Sequence, residues 1–300
     1  MKSITIRLAK LFVTGSLIFS SLLGIAIAQD WDEVEITTKK IAPGIYMLTG
    51  RGGNMVASIG SDGTFLIDDQ FAPLTEKIVA ALIAIGGEVP KFLVNTHWHF
   101  DHAGGNENLG KAGAVIVAHD TVRERMSRDN FMEAINVQVP ASSPEALPVI
   151  TFSDNVTFHL NGDTLQVKHI PAAHTDGDSV IWFEKANVLH TGDIYLNGFY
   201  PFIDHGSGGS FKGIIEATSQ LIEQSDDQTV IIPGHGPLSN RKEMIEYRDM
   251  LESVSAKIDQ LKSEGKTVEE IVAAKPTAEL DAKWGNGFMK PDVWVKIISQ

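Results

Sequence analysis

Four side chains of the kinds that bind metal ions lie within six consecutive positions of the segment NTHWHFDHAGGN, residues 95–106. These side chains are His97, His99, Asp101 and His102. Imidazole and carboxylate groups bind zinc well, and they also bind iron or manganese. The chain contains no cysteine, so any metal ion held by protein side chains would have histidine, aspartate and glutamate as its ligands.

The spacing within this segment indicates two metal positions. His97 and His99 are two residues apart, which places them on the same side of an extended backbone. Asp101 and His102 follow after the chain has begun to turn, where two glycines allow a tight bend, and they can point to a second position. Four ligands cannot complete both positions, so the segment predicts further ligands elsewhere in the chain.

Three later residues occur in a matching setting. His174 lies in PAAHTDGDS, Asp193 in VLHTGD and His235 in IIPGHGP, each in a glycine-containing loop after a predicted strand. Loops at strand ends commonly carry binding and catalytic residues. His190 is interpreted as a residue behind the ligands, because it precedes Asp193 by three positions. The remaining histidines outside the segment lack such a setting and are interpreted as ordinary hydrogen-bonding residues. They are His119, His159, His169 and His205.

The elements that must position these loops are short strands alternating with helices. Alternating β-rich runs and turn residues predict strands at 45–50, 55–60, 64–69, 91–95, 114–118, 179–184, 186–193 and 229–234. A hairpin is predicted over 156–170, with its turn at Asn161-Gly162. Apolar spacing predicts helices over 74–87, 119–129 and 211–224, and a mainly helical stretch over the last 60 residues. Residues 130–155 contain three prolines and are interpreted as an excursion or loop. Two sheets with helices outside them are expected.

The first 28 residues have the pattern of a secretory signal peptide. Three basic residues precede an apolar run over 11–28 that ends in Ala-Ile-Ala, and polar residues follow. An uncleaved membrane anchor is the alternative, because 18 apolar residues are close to the length of a span. Cleavage would leave residues 29–300 as a single domain, periplasmic or secreted, without stable membrane association.

Charge argues against a nucleic-acid partner. Loss of the three basic residues of the leader takes the formal charge from −13 to −16. No cluster of lysine and arginine stands out to offset it, so a phosphodiester substrate is disfavoured.

The ligand pattern resembles that of the metallo-β-lactamase superfamily over about residues 40–240. The resemblance rests on the H-x-H-x-D-H segment, HTDGD at 174–178, HTGD at 190–193 and PGHG at 233–236. It implies an α+β fold, a four-layer αβ/βα sandwich of two packed sheets with helices on both outer faces. It also implies two zinc ions per chain.

By this resemblance the ligands divide into two groups and one shared residue. The first ion would be held by His97, His99 and His174, the second by Asp101, His102 and His235, and Asp193 would bridge them. Flavodiiron relatives typically have a glutamate at the position of His99, which favours zinc here. Two such metals can activate a shared water as hydroxide, which would attack a small-molecule carbonyl substrate. Asp101 is the candidate catalytic residue, because it could orient the hydroxide or carry a proton.

The substrate is less well defined than the reaction. A β-lactam, lactone, ester or thioester would fit, and export favours antibiotics or lactones over glutathione thioesters. Related β-lactamases have a cysteine where this chain has Asp193, and often a substrate-binding lysine where it has Leu196. Both differences put efficient β-lactam hydrolysis in doubt and favour a site more like that of lactonases and hydroxyacylglutathione hydrolases. The turn at 50–54, GRGGN, has two interpretations, a mobile flap or an ordinary hairpin turn.

Three other functions remain open at this point. The superfamily also contains mononuclear iron dioxygenases that act on persulfides. A phosphodiesterase or nuclease is opposed by charge and export. A non-catalytic metal-binding or partner-binding protein is opposed by the complete ligand set.

Overall fold

Two β-sheets provide the frame, in a computed structural model that describes residues 30–300. The strands in chain order are β1 (Thr37–Ala42), β2 (Ile45–Thr49), β3 (Met55–Gly60), β4 (Gly63–Ile67), β5 (Phe92–Val94), β6 (Val115–His119), β7 (Asn130–Met132), β8 (Val137–Val139), β9 (Ile150–Phe152), β10 (Asn155–Leu160), β11 (Asp163–His169), β12 (Ser179–Phe183), β13 (Val188–His190), β14 (Val230–Ile232) and β15 (Ser239–Asn240). The first sheet has the order β1-β2-β3-β4-β5-β6-β9 and the second β10-β11-β12-β13-β14-β15, while β7 and β8 form a separate hairpin.

Helices cover the outer face of each sheet. In chain order they are α1 (Thr75–Ala84), α2 (Phe100–Ala103), α3 (Asn106–Lys111), α4 (Asp120–Met126), α5 (Phe211–Gln224), α6 (Arg241–Ser263), α7 (Val268–Ala273), α8 (Asp281–Trp284) and α9 (Pro291–Ile298). α1 and α3 pack on the first sheet, and α5, α6 and α9 contribute to the core on the outer side of the second. The result is the predicted four-layer α+β sandwich.

The strand sequences explain why both faces of the first sheet are covered. Successive strand residues point to opposite faces, and here both sets are apolar. In β4, Phe65 and Ile67 belong to the core between the sheets, whereas Leu66 belongs to the core beneath α1. Ile78 and Leu82 of α1, four residues apart on one helical face, are fully buried in that outer core.

Parallel pairing brings the functional loops to one edge. β4, β5 and β6 pair in parallel in the first sheet, and β13 pairs in parallel with β14 in the second. Parallel neighbours end at the same edge of a sheet, so the loops that follow them lie side by side.

Several sequence predictions are confirmed at the level of individual elements. The hairpin of β10 and β11 turns at Asn161 and Gly162, which both have positive φ, 53° and 76°. That conformation matches the tight hairpin turn that Asn-Gly favours. α5 covers the predicted range 211–224, and Ser210 begins it by accepting a hydrogen bond from the backbone N–H of Gly213.

Of the two interpretations of residues 130–155, an excursion or a loop, the loop is wrong. These residues contain the β7–β8 hairpin, which is separate from the two large sheets, and the whole of β9, which joins the first sheet in parallel beside β6. Strands of three residues are too short to show a periodic pattern, and the prolines lie in the connections rather than in the strands. The helices α2 and α3, which follow His99, were also not predicted, because they are short.

The described residues include no helix with both the length and the apolar character required to cross a membrane. The predicted signal peptide lies outside the described residues, so its cleavage and the start of the mature domain at residue 29 remain predictions.

Candidate functional site: a two-position metal centre

The seven predicted ligands converge at the edge where the parallel strands end. The first sheet contributes the four residues of the segment after β5, and the second contributes His174, Asp193 and His235. His97, Asp193 and His235 each come three residues after a strand, β5, β13 and β14 respectively. The site therefore spans both sheets and depends on their packing.

The first position is formed by three histidines that are almost fully buried, His97, His99 and His174. The ring nitrogens His99 Nδ1 and His174 Nε2 are 2.9 Å apart. His97 Nε2 is buried, and among the described residues it has no hydrogen-bond partner. An unpartnered buried nitrogen is costly unless another group occupies its lone pair, which a metal ion would do.

The second position is formed by Asp101, His102 and His235. His102 Nε2 lies 3.2 Å from His235 Nε2, and Asp101 Oδ2 lies 3.2 Å from His235 Nε2. Two ligands of a tetrahedral zinc ion, each about 2.0–2.1 Å from it, are roughly 3.3 Å apart. The two separations of 3.2 Å are close to this value, and the third, from His102 Nε2 to Asp101 Oδ2, is longer at 3.8 Å. His102 is fully buried, whereas Asp101 and His235 are partly exposed.

Asp193 lies between the two positions. Its Oδ1 is 3.1 Å from His102 Nε2, and its Oδ2 is 3.4 Å from His235 Nε2 and 3.7 Å from His174 Nε2. His174 belongs to the first position, and the other two histidines belong to the second. A carboxylate so placed can reach ions at both positions.

Hydrogen bonds on the far side of each ring fix which nitrogen faces the centre. His99 Nε2 bonds to Asp204 Oδ2 at 3.0 Å, and His174 Nδ1 donates to the carbonyl of Phe202 at 2.7 Å. His102 Nδ1 bonds to Asp68 Oδ2 at 2.8 Å. Each donated proton leaves the opposite nitrogen with a lone pair directed inward, as metal-binding histidines require.

Asp68 also orders the backbone of the metal-binding segment. Its two oxygens accept from the Thr96 N–H and the Thr96 hydroxyl, each at 2.8 Å. The same hydroxyl can then accept from Nδ1 of His97, 3.0 Å away, which leaves Nε2 of His97 for a metal. Asp68 is fully buried and has a positive φ of 58°, a strained conformation that the surrounding bonds maintain.

Sequence reasoning missed Asp68 and Asp204 as partners of the ligands. Asp68 comes directly after β4, in TFLIDD, and a carboxylate at a strand end was a usable signal. Asp204 lies in an irregular segment with no such signal. His190, interpreted as a residue behind the ligands, has its Nε2 3.8 Å from Asp68 Oδ2 and donates from Nδ1 to the carbonyl of Ile232.

The remaining histidines make ordinary local contacts. His119 and His169 stack with ring centroids 3.6 Å apart, and each bonds to a backbone carbonyl. His205 bonds to the carbonyls of Gly209 and Ile297. His159 is on the exposed side of β10, 3.3 Å from the Thr164 hydroxyl.

Electrostatics separates the two positions. Burial lowers the pKa of His174 to about 4, and burial together with the neighbouring histidines lowers the pKa of His97 well below its usual value. At His235 burial also lowers the pKa, but Asp193 and Asp101 outweigh it and raise the pKa to about 9. His97 and His174 of the first position are therefore neutral near pH 7, whereas protons compete with a metal ion at His235 of the second position.

The turn between β2 and β3 is tied to the metal-binding loops. The Gly53 N–H donates to the carbonyl of Asp101 at 3.0 Å, and the Asn54 N–H donates to the carbonyl of Gly234 at 2.7 Å. The Asn54 amide also donates to the carbonyls of Pro233 and Gly236. These bonds describe an anchored hairpin connection rather than a flap.

A cavity of about 350 Å³ opens in front of the two positions. Asp101, Asp193 and His235 lie at its base, and most of the other lining side chains are apolar or aromatic. Leu196 is among them, at the position where the sequence resemblance leads one to look for lysine.

The sequence itself matches a known family over this region. The family model described as "Metallo-beta-lactamase superfamily" matches residues 48–235, which include all seven predicted ligands. The chain belongs to the metallo-β-lactamase superfamily.

Curated superfamily relatives have different names. The chain is 27% identical over 161 residues to "Metallo-beta-lactamase type 2" of Elizabethkingia meningoseptica, covering 54% of this chain and 55% of the relative. It is 27% identical over 157 residues to "Hydroxyacylglutathione hydrolase" of Ectopseudomonas mendocina (strain ymp), covering 52% and 49%. The chain thus spans about half the length of these curated relatives.

Solved structures support the superfamily fold. The metallo-β-lactamase from Pontibacter korlensis is similar with a TM-score of 0.59 and 20% identity, covering 73% of this chain and 99% of that one. A double mutant of the sec-alkyl sulfatase PisA1 is similar with a TM-score of 0.65 and 20% identity, covering 88% of this chain and 50% of that one.

Proposed function

We propose that this superfamily member is an exported hydrolase that holds two zinc ions and cleaves a small carbonyl compound: a β-lactam, lactone, ester or thioester. The observation that carries the proposal is the position of Asp193, whose two oxygens approach ring nitrogens of both ligand groups. The named hydrolases among the relatives support the reaction class.

Two zinc ions held here would supply Lewis acidity and a water of lowered pKa near neutral pH. The chain's own groups hold and orient the ligands. Asp204 and Asp68 fix the rings of His99 and His102 through bonds of 3.0 and 2.8 Å. Ligands held in this way undergo little reorganisation during the reaction.

Asp101 is the residue proposed to move a proton. Its side chain is about one quarter exposed, and it lines the cavity beside His235. A carboxylate at the edge of the metal centre, in contact with solvent, can take a proton from water and pass it to the leaving group. Its pKa is held low because His102 and His235 outweigh the effect of burial, so it is ionised near neutral pH.

The chemistry of the second position favours this function over a one-metal oxygenase. A single-metal site needs no counterpart to the group of Asp101, His102 and His235, whose ligand atoms lie within 4.8 Å of one another. Elemental analysis distinguishes the two functions, since the oxygenase requires about one iron per chain.

Asp193→Ala tests the proposal. Loss of the carboxylate should reduce the zinc content from about two ions per chain to about one and lower turnover by at least about 100-fold, because the two-metal activation is lost. The substrate for this comparison comes from a screen of the zinc-loaded protein against β-lactams, lactones, esters and thioesters. Asp227→Asn, at an exposed carboxylate on the α5–β14 connection, is the control.

The proposal is wrong if folded Asp193→Ala retains two zinc ions and wild-type turnover. It is equally wrong if the wild-type protein carries only iron. Circular dichroism establishes that each variant is folded.

Export is the remaining part of the proposal, and it rests on the basic and apolar pattern of residues 1–28. Mass spectrometry of the protein from the cell exterior or periplasm should give a chain that begins at Gln29. Recovery of a chain that begins at Met1 from that fraction would contradict cleavage.

A further inference from the structure

One wall of the cavity comes from a part of the chain beyond the family match. The segment between α8 and α9, Gly285–Lys290, contributes Gly287, Phe288 and Met289 to the lining. The superfamily match ends at residue 235. These three lining residues therefore lie outside the range that the family model matches.

The C-terminal helices on either side of this segment are held by stacking and hydrogen bonds to Tyr200. Tyr200 stacks on Trp294 of α9 with ring centroids 4.1 Å apart, and its hydroxyl donates to Asp281 of α8 at 2.9 Å. The Tyr200 N–H donates to the carbonyl of Trp284 at 3.0 Å. These contacts join the C-terminal helices to the loop that follows Asp193.

The segment between α8 and α9 also packs closely against residues that line the cavity. A β-carbon on Gly287 would lie 2.6 Å from the ring of Phe199, so the backbone of the segment rests directly on that ring. Phe288 approaches Phe202 with ring centroids 6.4 Å apart, in an edge-to-face arrangement. Phe202 lies in turn beside His99 of the first metal position, with ring centroids 5.8 Å apart.

Phe288 is an exposed aromatic residue in the lining of the cavity. Its side chain is 70% exposed although it lines the cavity. Exposed aromatic side chains that line a concave site beside catalytic groups are typical of ligand pockets, and 350 Å³ lies within the range of roughly 300–1,000 Å³ found for such pockets.

The cavity lining beside the proposed metal ligands is mainly apolar. Asp101 and Asp193 line the cavity as proposed metal ligands, and Leu196 is one of the apolar residues that line it. Apart from histidines, Arg51 is the one basic residue in the lining, all of which lies within residues 30–300. Apolar surface therefore dominates what a substrate would contact next to the reacting bond.

We propose that the segment 285–290, together with Leu196, Phe199 and Phe202, forms a subsite for the apolar acyl chain of an ester. This inference rests on the proposed hydrolase function and names its substrate class. Hydrolysis adds water across the acyl C–O bond: the acyl carbon gains a hydroxyl, and the leaving oxygen takes a proton. The subsite holds the chain attached to that carbon.

The first experiment measures turnover of 4-nitrophenyl esters from acetate to octanoate by the zinc-loaded protein. Burial of a methylene group favours binding by up to about fourfold. We expect kcat/KM to rise by about two- to fourfold per added methylene until the cavity is filled.

Single substitutions test whether the residues of the subsite cause the dependence on chain length. Phe288→Ala and Leu196→Lys should reduce the increase in kcat/KM per methylene, and each should lower kcat/KM for the octanoate ester about tenfold. Phe131→Ala is the matched control, because this phenylalanine of β7 is 50% exposed and does not line the cavity. Phe199→Ala provides a second test of the wall if Phe288→Ala does not fold.

A binding measurement separates the subsite from catalysis. Calorimetric titration with 2-alkanones from 2-butanone to 2-decanone, which are not hydrolysed, should show affinity that increases with chain length. Phe288→Ala should weaken the binding of 2-decanone about tenfold, and Phe131→Ala should not.

Each result has a distinct meaning. Absence of hydrolysis of every carbonyl compound would refute the proposed function, while chain-length-dependent ketone binding would still support the subsite. Hydrolysis that favours acetate or anionic substrates, with no effect of Phe288→Ala on the chain-length profile, would leave the hydrolase intact and overturn the subsite.

Discussion

Gly53 leaves no room for a side chain, and its replacement by alanine should disturb the second metal position. A β-carbon at this residue would lie 2.1 Å from Cε1, 2.4 Å from Nε2 and 2.7 Å from Nδ1 of the His102 ring. Gly53 has no positive φ, so the backbone accepts alanine and the cost comes from the contact alone. Ordinary carbon contacts begin near 3.5 Å, and the ring or the turn must therefore move by roughly 1.4 Å.

Neither neighbour can move freely. The His102 ring is held by its bond to Asp68 at 2.8 Å, and the turn is held by the bond from the Gly53 N–H to Asp101 at 3.0 Å. Overpacking of a tight site typically costs about 1–3 kcal/mol of folding stability. A displacement of about 1 Å at a catalytic group can lower the rate by about 100-fold. We expect Gly53→Ala to fold, to hold its second zinc ion at least tenfold more weakly, and to lose about 100-fold in turnover.

The assay compares Gly53→Ala with Gly206→Ala, in which the new β-carbon would meet its nearest neighbour at an ordinary distance of 3.4 Å. Zinc content after dialysis, turnover and thermal melting are measured for both. If Gly53→Ala folds with two zinc ions and full turnover, the His102 ring is not confined as described, and the reasoning is refuted.

Two further predictions follow from the ligand environment. Asp204→Asn should lower the zinc affinity of the first position by about 10–100-fold, since the amide supports the ring of His99 less well than the carboxylate does. A competitive chelator titration measures this affinity. An unchanged affinity would show that the bond of 3.0 Å does not orient His99. Lowering the pH from 8 to 5.5 should first release about one zinc per chain, from the second position. The pKa of metal-free His235 is raised to about 9, so protons compete with zinc increasingly as the pH falls below that value. The pKa of His174 at the first position is lowered to about 4, so that ring stays neutral over this range. Elemental analysis after dialysis at each pH tests the order, and simultaneous loss of both ions would contradict it.

Local sequence features account for the parts of the fold that were predicted well. Apolar spacing sets the face of α5, and an Asn-Gly pair sets the turn between β10 and β11, because each acts through residues close in the chain. β7, β8 and β9 were missed because three-residue strands carry almost no periodic signal. β9 is a strand because β6 offers it a parallel edge, which is a long-range condition.

The candidate site also has some features that the sequence predicts and others that it does not. The sequence by itself determined the kinds of ligand available, the two-residue spacing of His97 and His99, and the absence of thiolate ligands, because these follow from residue identity and local backbone geometry. Only the tertiary structure decided that Asp204 would meet His99, 105 residues away, and that a C-terminal segment would wall the cavity. Such contacts depend on how two sheets and their covering helices pack, and packing is set by shape and burial over the whole core rather than by any local pattern.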